Sequence, residues 1–172
     1  MKKILKNTVV LISIFVLFDF LIKLAILAQT PFPISLWGYY KNYYPTYFPI
    51  SNPLPFFNIV LVWNNGVSFS MLANNSLVGR FLLIGLSLAI TIYIIHLLKN
   101  EKDKLNRFSL ILIIAGAFGN IFDRLRYGAV IDFLDFHWGI HHYPAFNIAD
   151  TYICIGVGLI ILNSIIKKKN KK

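Results

Sequence analysis

Four long apolar stretches interrupt an otherwise mixed chain: Thr8–Ala28, Leu77–Leu98, Phe108–Phe122 and Ile148–Ile166. A helix needs roughly 20 apolar residues, within about 17–25, to cross a bilayer. The first, second and fourth stretches meet that length. The third has only 15 residues between Arg107 and Asp123 and must borrow polar neighbours to cross. All seven prolines fall outside these stretches, six between Pro31 and Pro55 and the last at Pro144, which leaves four uninterrupted helices. The pattern predicts spans over about 8–28, 77–98, 108–126 and 147–166, with 29–76 and 127–146 between them on one side of the membrane. Phe57–Trp63 is β-branched and aromatic. Asn64-Asn65-Gly66 and then Val67–Met71 follow it, so two short strands around an Asn-Gly turn are expected there.

Composition agrees with a membrane chain. Of 172 residues, 57% are hydrophobic and 14% charged, outside the usual soluble range of about 45–50% apolar and about 25% charged. The net charge of +10 suggests a nucleic-acid partner until the charges are placed. Lys2, Lys3 and Lys6 precede the first span, Lys99, Lys102, Lys104 and Arg107 flank the second connection, and five lysines from Lys167 close the chain. That puts 12 of 17 basic residues on one side, which predicts both termini in the cytoplasm and no nucleic-acid role. The first stretch begins like a signal peptide. It is longer than the usual h-region of about 7–15 residues and carries Asp19 and Lys23, so it reads as a retained helix. The segment 29–76 holds one charge, Lys41, and is crowded with aromatics from Trp37 to Trp63. It is expected to lie at the headgroup layer, where rings with polar tips are satisfied. The expected architecture is an all-α membrane protein: a single integral domain over 1–172, with a small extracytoplasmic, sheet-like aromatic element.

Ionisable groups in hydrocarbon are costly and usually have a role. At about 1.5 Å per residue, Asp19 lies about 17 Å and Lys23 about 23 Å from Thr8. Asn120 and Asp123 lie about 20 and 24 Å from Arg107, and Asp150 about 25 Å from Lys167. In a core about 30 Å thick, three helices therefore bring polar chemistry to one level near the outer leaflet. Asp19 and Lys23, four apart, share a helix face and are expected to pair internally. Gly116 with Asn120, and Ala115 with Gly119, carry small residues at the spacing that lets helices approach closely. Asp123 and Arg124 do not face each other and need separate partners; they read either as an interface anchor or, for Arg124, as a holder of a carboxylate or phosphate. Asn147 and Asp150 read as a helix cap or as functional groups on one face. Asp132 sits among Val130, Ile131, Phe133 and Leu134, and its depth stays open; Asp135 reads as a surface residue. His137, His141 and His142 match no zinc spacing and read, with Trp138 and Tyr143, as an interfacial belt. No metal or cofactor is expected. Cys154, the single cysteine, reads as a small packed residue.

The string from Gly116 to Arg124 (Gly-Ala-Phe-Gly-Asn-Ile-Phe-Asp-Arg), then Val130–Phe133 and Pro144–Asp150, resembles the bacterial lipoprotein signal peptidases, signal peptidase II. The resemblance extends to Asp19 and Lys23 and to Asn64–Ser70, and covers essentially the whole chain. It implies an aspartic endopeptidase of the bacterial inner membrane, with its site facing the outer leaflet. Such an enzyme cuts diacylglyceryl-modified prolipoproteins before the lipidated cysteine and is inhibited by globomycin. By the same resemblance Asp132 and Asp150 are the catalytic pair, and Asn64, Asn120, Arg124 and Asn147 support the site. Asp19, Lys23, Gly116 and Asp123 then shape it, and the chain is expected to act as a monomer among membrane lipids. Departures from the family pattern are Phe20, Ala115, Ser68 and a long Pro/Tyr-rich stretch from Pro31 to Pro55. Two carboxyls that share one proton can activate a water and polarise a peptide carbonyl together. The rival readings are a proton- or ion-coupled transporter built on Asp19, Asp123 and Asp150, and a non-catalytic subunit whose polar residues only join helices.

Overall fold

A computed structural model describes residues 2–31, 47–66 and 77–170. Four long helices form where the apolar stretches lie: α1 (Lys2–Ala28), α2 (Leu77–Asn100), α3 (Lys104–Tyr127) and α4 (Ile148–Lys169). All four are long and apolar enough to cross a membrane. The third does so by recruiting its polar ends, Lys104 and Asp123–Tyr127, into the helix. In α3, 61% of the most apolar window is buried in the protein, against 17% in each of the others. Thus α3 is the central helix, and α1, α2 and α4 surround it with their apolar outer faces turned away. Val9, Phe18, Phe81, Ile92 and Ile161 are among the large side chains left exposed there, as expected where the surrounding solvent is lipid.

Local chemistry sets the helix ends. Asp103 caps α3 by accepting the Asn106 amide at 2.9 Å, and its carboxyl also meets Lys167 and Asn163 of α4. The Asn106 amide first, then Lys167, hold the Asp103 carboxyl down at about 2. At the far end α3 stops on Gly128, whose φ of 84° is the left-handed conformation that closes a helix without a Cβ penalty. The chain then turns directly into β3 (Val130–Trp138), which places that strand at the end of the central helix.

β3 belongs to a four-stranded antiparallel sheet ordered β1 (Tyr47–Leu54), β2 (Phe57–Asn64), β3 and β4 (His141–His142). β2 forms where the aromatic and β-branched run predicts it, but its neighbours differ from the expected hairpin. It pairs with β1 through the short Pro55–Phe56 turn and with β3 on its other side. The expected partner Val67–Met71 lies outside the described residues, as do Ser68 and most of the stretch from Pro31 to Pro55. Pro49 and Pro53 sit in β1, an edge strand, where a missing N–H is tolerated. The core under the sheet joins Leu61, Ile131 and Phe133 to Ile26 and Leu27 of α1 and Tyr127 of α3. Phe20 fits this corner: it packs edge-on to Phe122 at 5.9 Å, and the Arg126 guanidinium lies 5.2 Å over its ring.

Two readings need correction. Asp135 is not a surface residue; it is 3% exposed. Asn58, its register partner on β2, donates to it at 2.9 Å, and His142 folds over it at 2.9 Å. Its carboxyl sits below the ordinary value, because these two hydrogen bonds outweigh the opposing effect of burial. Cys154 is exposed on α4 rather than packed, since the buried face of that helix runs through Ala149, Gly156 and Asn163.

Candidate active site

The site forms where the end of α3, the first half of β3 and the start of α4 converge, with the end of β2 alongside. Asn147 opens α4 with extended backbone, and its side-chain oxygen accepts the Asp150 amide at 2.9 Å. The Asp150 carboxylate reaches back to the Asn147 amide at 3.3 Å, completing a capping box. The cap therefore fixes Asp150 on the first turn, at the positive end of the helix dipole. The Asn147 side chain makes two kinds of contact: its oxygen caps the helix, and its amide nitrogen donates to two neighbouring side chains.

That amide nitrogen donates to Asp132 Oδ1 at 2.7 Å and to Asn120 Oδ1 at 3.1 Å. Asn120 in turn donates to Asp150 Oδ1 at 2.7 Å. Asn64, at the end of β2, donates to the other Asp132 oxygen at 2.9 Å. The side chains of Asn64, Asp132, Asn147, Asn120 and Asp150 thus form one continuous chain of hydrogen bonds in which amides separate the two carboxyls. Asn64 is held by its own turn, its oxygen accepting the Gly66 amide at 2.8 Å. Gly66 has a φ of 82°, and a Cβ there would strike Leu83 of α2.

The two aspartates differ in surroundings. Asp132 is 1% exposed, whereas Asp150 is half-buried. Burial, reinforced by the nearby Asp150 charge, pushes the Asp132 carboxyl up to about 7 against the opposing Asn64 and Asn147 hydrogen bonds. A carboxyl in that range can hold or release a proton near neutrality.

A second cluster lies directly behind. Lys23 Nζ stands 2.8 Å from Asp19 and 2.7 Å from Asp123, all three side chains 5% exposed or less. The expected internal pair of Asp19 and Lys23 is therefore a triad, with Asp123 as its third member. Arg124, on the next position of α3, turns elsewhere and reaches the Asn120 carbonyl at 3.4 Å. Gly116 lets α4 seat against α3: a Cβ there would run into the Ala149 carbonyl oxygen and Ile153. Every residue expected at the site lies in one of these two clusters or against them. The histidines do not join them. His142 pairs with Asp135 and stacks on His137 at 5.0 Å, on the outer part of the sheet. Among the described residues no three metal-ligating side chains converge.

The sequence pattern of the family described as signal peptidase (SPase) II matches residues 11–166. The chain is 45% identical over 121 residues to a lipoprotein signal peptidase of Vibrio campbellii, an alignment covering 69% of this chain and 72% of that one. It is 49% identical over 119 residues to a lipoprotein signal peptidase of Polynucleobacter necessarius, covering 69% and 73%. A solved bacterial membrane enzyme superposes with a TM-score of 0.72 at 27% identity, over 97% of this chain and 92% of that one.

Proposed function

This chain belongs to the signal peptidase II family and is a multi-pass membrane peptidase that removes signal peptides from prolipoproteins, and from there we propose that it works as an aspartic peptidase with Asp132 and Asp150 as its catalytic pair. The observation that carries this reading is the hydrogen-bonded chain that links the two carboxyls through Asn147 and Asn120. Transport, the rival reading, finds no support in the relatives.

In the proposed reaction Asp132, the enclosed carboxyl, keeps the shared proton, and Asp150 supplies the ionised oxygen. A water between them loses a proton to Asp150 as its oxygen attacks the scissile carbonyl. Asp132 gives its proton to the carbonyl oxygen, forming a neutral tetrahedral gem-diol. Collapse of that intermediate breaks the C–N bond. The proton held by Asp150 passes to the leaving nitrogen, and Asp132 recovers its own from a gem-diol hydroxyl whose oxygen becomes the carbonyl of the new carboxyl group. The amides of Asn64, Asn120 and Asn147 leave the carboxyls little freedom to rotate, which is what a general acid and base aimed at one carbonyl require. Arg124, half-buried beside Asp150, serves the same region as a cation for a carboxylate or carbonyl of the substrate.

The cut is placed before a diacylglyceryl-modified cysteine. That substrate has its acyl chains in hydrocarbon and its peptide at the headgroup level, and the site stands at the same boundary, where α3 gives way to the sheet. Orientation follows from the basic residues: both termini in the cytoplasm of a bacterial inner membrane, the sheet and the site at the outer leaflet, and the four spans as one domain. A globomycin-type cyclic peptide is expected to compete for the same place, and the chain to act as a monomer.

The test is direct. Purified protein in lipid nanodiscs, given a synthetic diacylated precursor peptide, should release the signal peptide and leave a new N-terminal cysteine. Asp132→Asn and Asp150→Asn should each abolish the release while the proteins accumulate and remain folded. Sustained turnover by either variant, free of wild-type enzyme, overturns the assignment.

A further inference from the structure

The triad behind the site does more than neutralise buried charge. Asp19 Oδ2 faces Lys23, while its other oxygen accepts the backbone amide of Ala149 at 2.9 Å. Asp123 Oδ2 faces Lys23 and also accepts the backbone amide of Ile131 at 3.2 Å. Ala149 immediately precedes Asp150, and Ile131 immediately precedes Asp132. We propose that Asp19, Lys23 and Asp123 are positioning residues: one ammonium ties two carboxylates, each gripping the peptide N–H one residue before an aspartate of the pair, so the triad sets the separation of Asp132 and Asp150. The inference rests on the reading of those two aspartates as catalytic.

Three features favour a clamp over a simple ionic bolt. First, a bolt between helices needs only side chains, yet both carboxylates spend acceptor capacity on backbone. The Ala149 amide is one of the first four N–H groups of α4, which have no partner within the helix. Asn147 supplies the partner for Asp150, and a residue of α1 supplies it for Ala149. Second, the neighbourhood leaves no slack. Ala149 and Ile131 are fully buried, and a Cβ on Gly119 would come within 2.7 Å of Asp19 Oδ2, so α3 has a glycine where the arm passes. Third, the two arms reach different elements. Asp19 of α1 holds the helix that carries Asp150, Asp123 of α3 holds the strand that carries Asp132, and Lys23 ties the two arms to each other. Catalytic geometry is sensitive at this scale, a misplacement of about 1 Å costing about 100-fold in rate.

The experiment uses the full chain in nanodiscs with the diacylated precursor peptide, kcat and KM being measured per folded molecule from gel filtration. Lys23→Met should lower kcat about 100-fold and leave KM within about twofold, because substrate contacts are untouched. Asp19→Asn retains an oxygen for the Ala149 amide and should retain far more kcat than Asp19→Ala, which retains none. Should Lys23→Met fail to accumulate, the Asn and Ala pair at position 19 decides the matter. Wild-type kcat per folded molecule in Lys23→Met overturns the clamp, as does a KM rise that accounts for the whole loss. So does equal damage from Asn and Ala at position 19. Asp132→Asn and Asp150→Asn are run alongside. If they turn over, the catalytic pair and the clamp fall together; if they are dead while Lys23→Met runs at full rate, the clamp alone falls.

Discussion

Removing Asn64 should extend activity toward alkaline pH, although it takes away a residue of the site. The Asn64 amide donates to Asp132 Oδ2 at 2.9 Å, a bond that favours the ionised carboxylate. Burial sets the opposite tendency and holds the Asp132 carboxyl at about 7. If Asp132 must be protonated to act, the alkaline limb of the pH–rate profile lies near that value. A hydrogen bond to a charged group is worth about 1.5–3 kcal/mol net, and about 1.36 kcal/mol corresponds to one pKa unit. Asn64 is only half-buried, so the lower end applies and Asn64→Ala should raise the limb by about one unit. The sign follows from the direction of the bond. Losing a donor to the anion makes the anion less favourable, the proton stays on to higher pH, and relative activity above neutrality increases. The maximum rate should fall, because the carboxyl is then held by Asn147 alone. The assay is kcat/KM against pH over roughly 5 to 9, each profile normalised to its own maximum. An alkaline limb that stays in place or moves toward acid refutes Asp132 as the proton-bearing member.

Two further substitutions probe the frame. Gly116→Ala puts a methyl group into the Ala149 carbonyl and should cost about 1–3 kcal/mol, read as a lower Tm together with reduced turnover, since the start of α4 is displaced. Asn147→Ala removes the cap of α4, worth about 1 kcal/mol, and leaves acceptor oxygens of Asp132 and Asn120 without a donor at about 1–3 kcal/mol each. Thermal unfolding should show it as more damaging than Asn64→Ala, and an equal effect of the two would contradict the fully buried hub at position 147.

The helices were readable because bilayer thickness imposes a length and proline punctuates the rest. The depth arithmetic was readable for the same reason: a helix has a fixed rise, so distance along the sequence becomes distance through the membrane. Asp19, Lys23, Asn120, Asp123 and Asp150 do meet, on three helices, as counting from each charged end predicts. Asp132 resisted that arithmetic because it lies on a strand beyond the end of α3. Val130–Phe133 is buried on both faces, so it lacks the alternation that marks a half-exposed strand. Its place in the pair came from the family resemblance alone. Asp135 was misread because its partner Asn58 is 77 residues away and becomes a neighbour only through strand register. The backbone amides of Ala149 and Ile131 left no trace in the sequence, since any residue but proline supplies an N–H.

The division of labour proposed for the two aspartates rests on where the chain places them. A pair of like carboxyls in identical surroundings shares its proton without assigning it. Here one lies on a strand closed over by the sheet core, and the other on the first turn of a helix, facing the positive end of its dipole and half open. Exchanging the two environments would exchange the roles. A variant that opens the Asp132 side, by enlarging access between β2 and β3, should therefore lose the proton-bearing member first and narrow activity to acid pH. Opening the Asp150 side should leave that limb unmoved. The Asn64 experiment tests this asymmetry at the one point where a single hydrogen bond to Asp132 can be removed without touching α4.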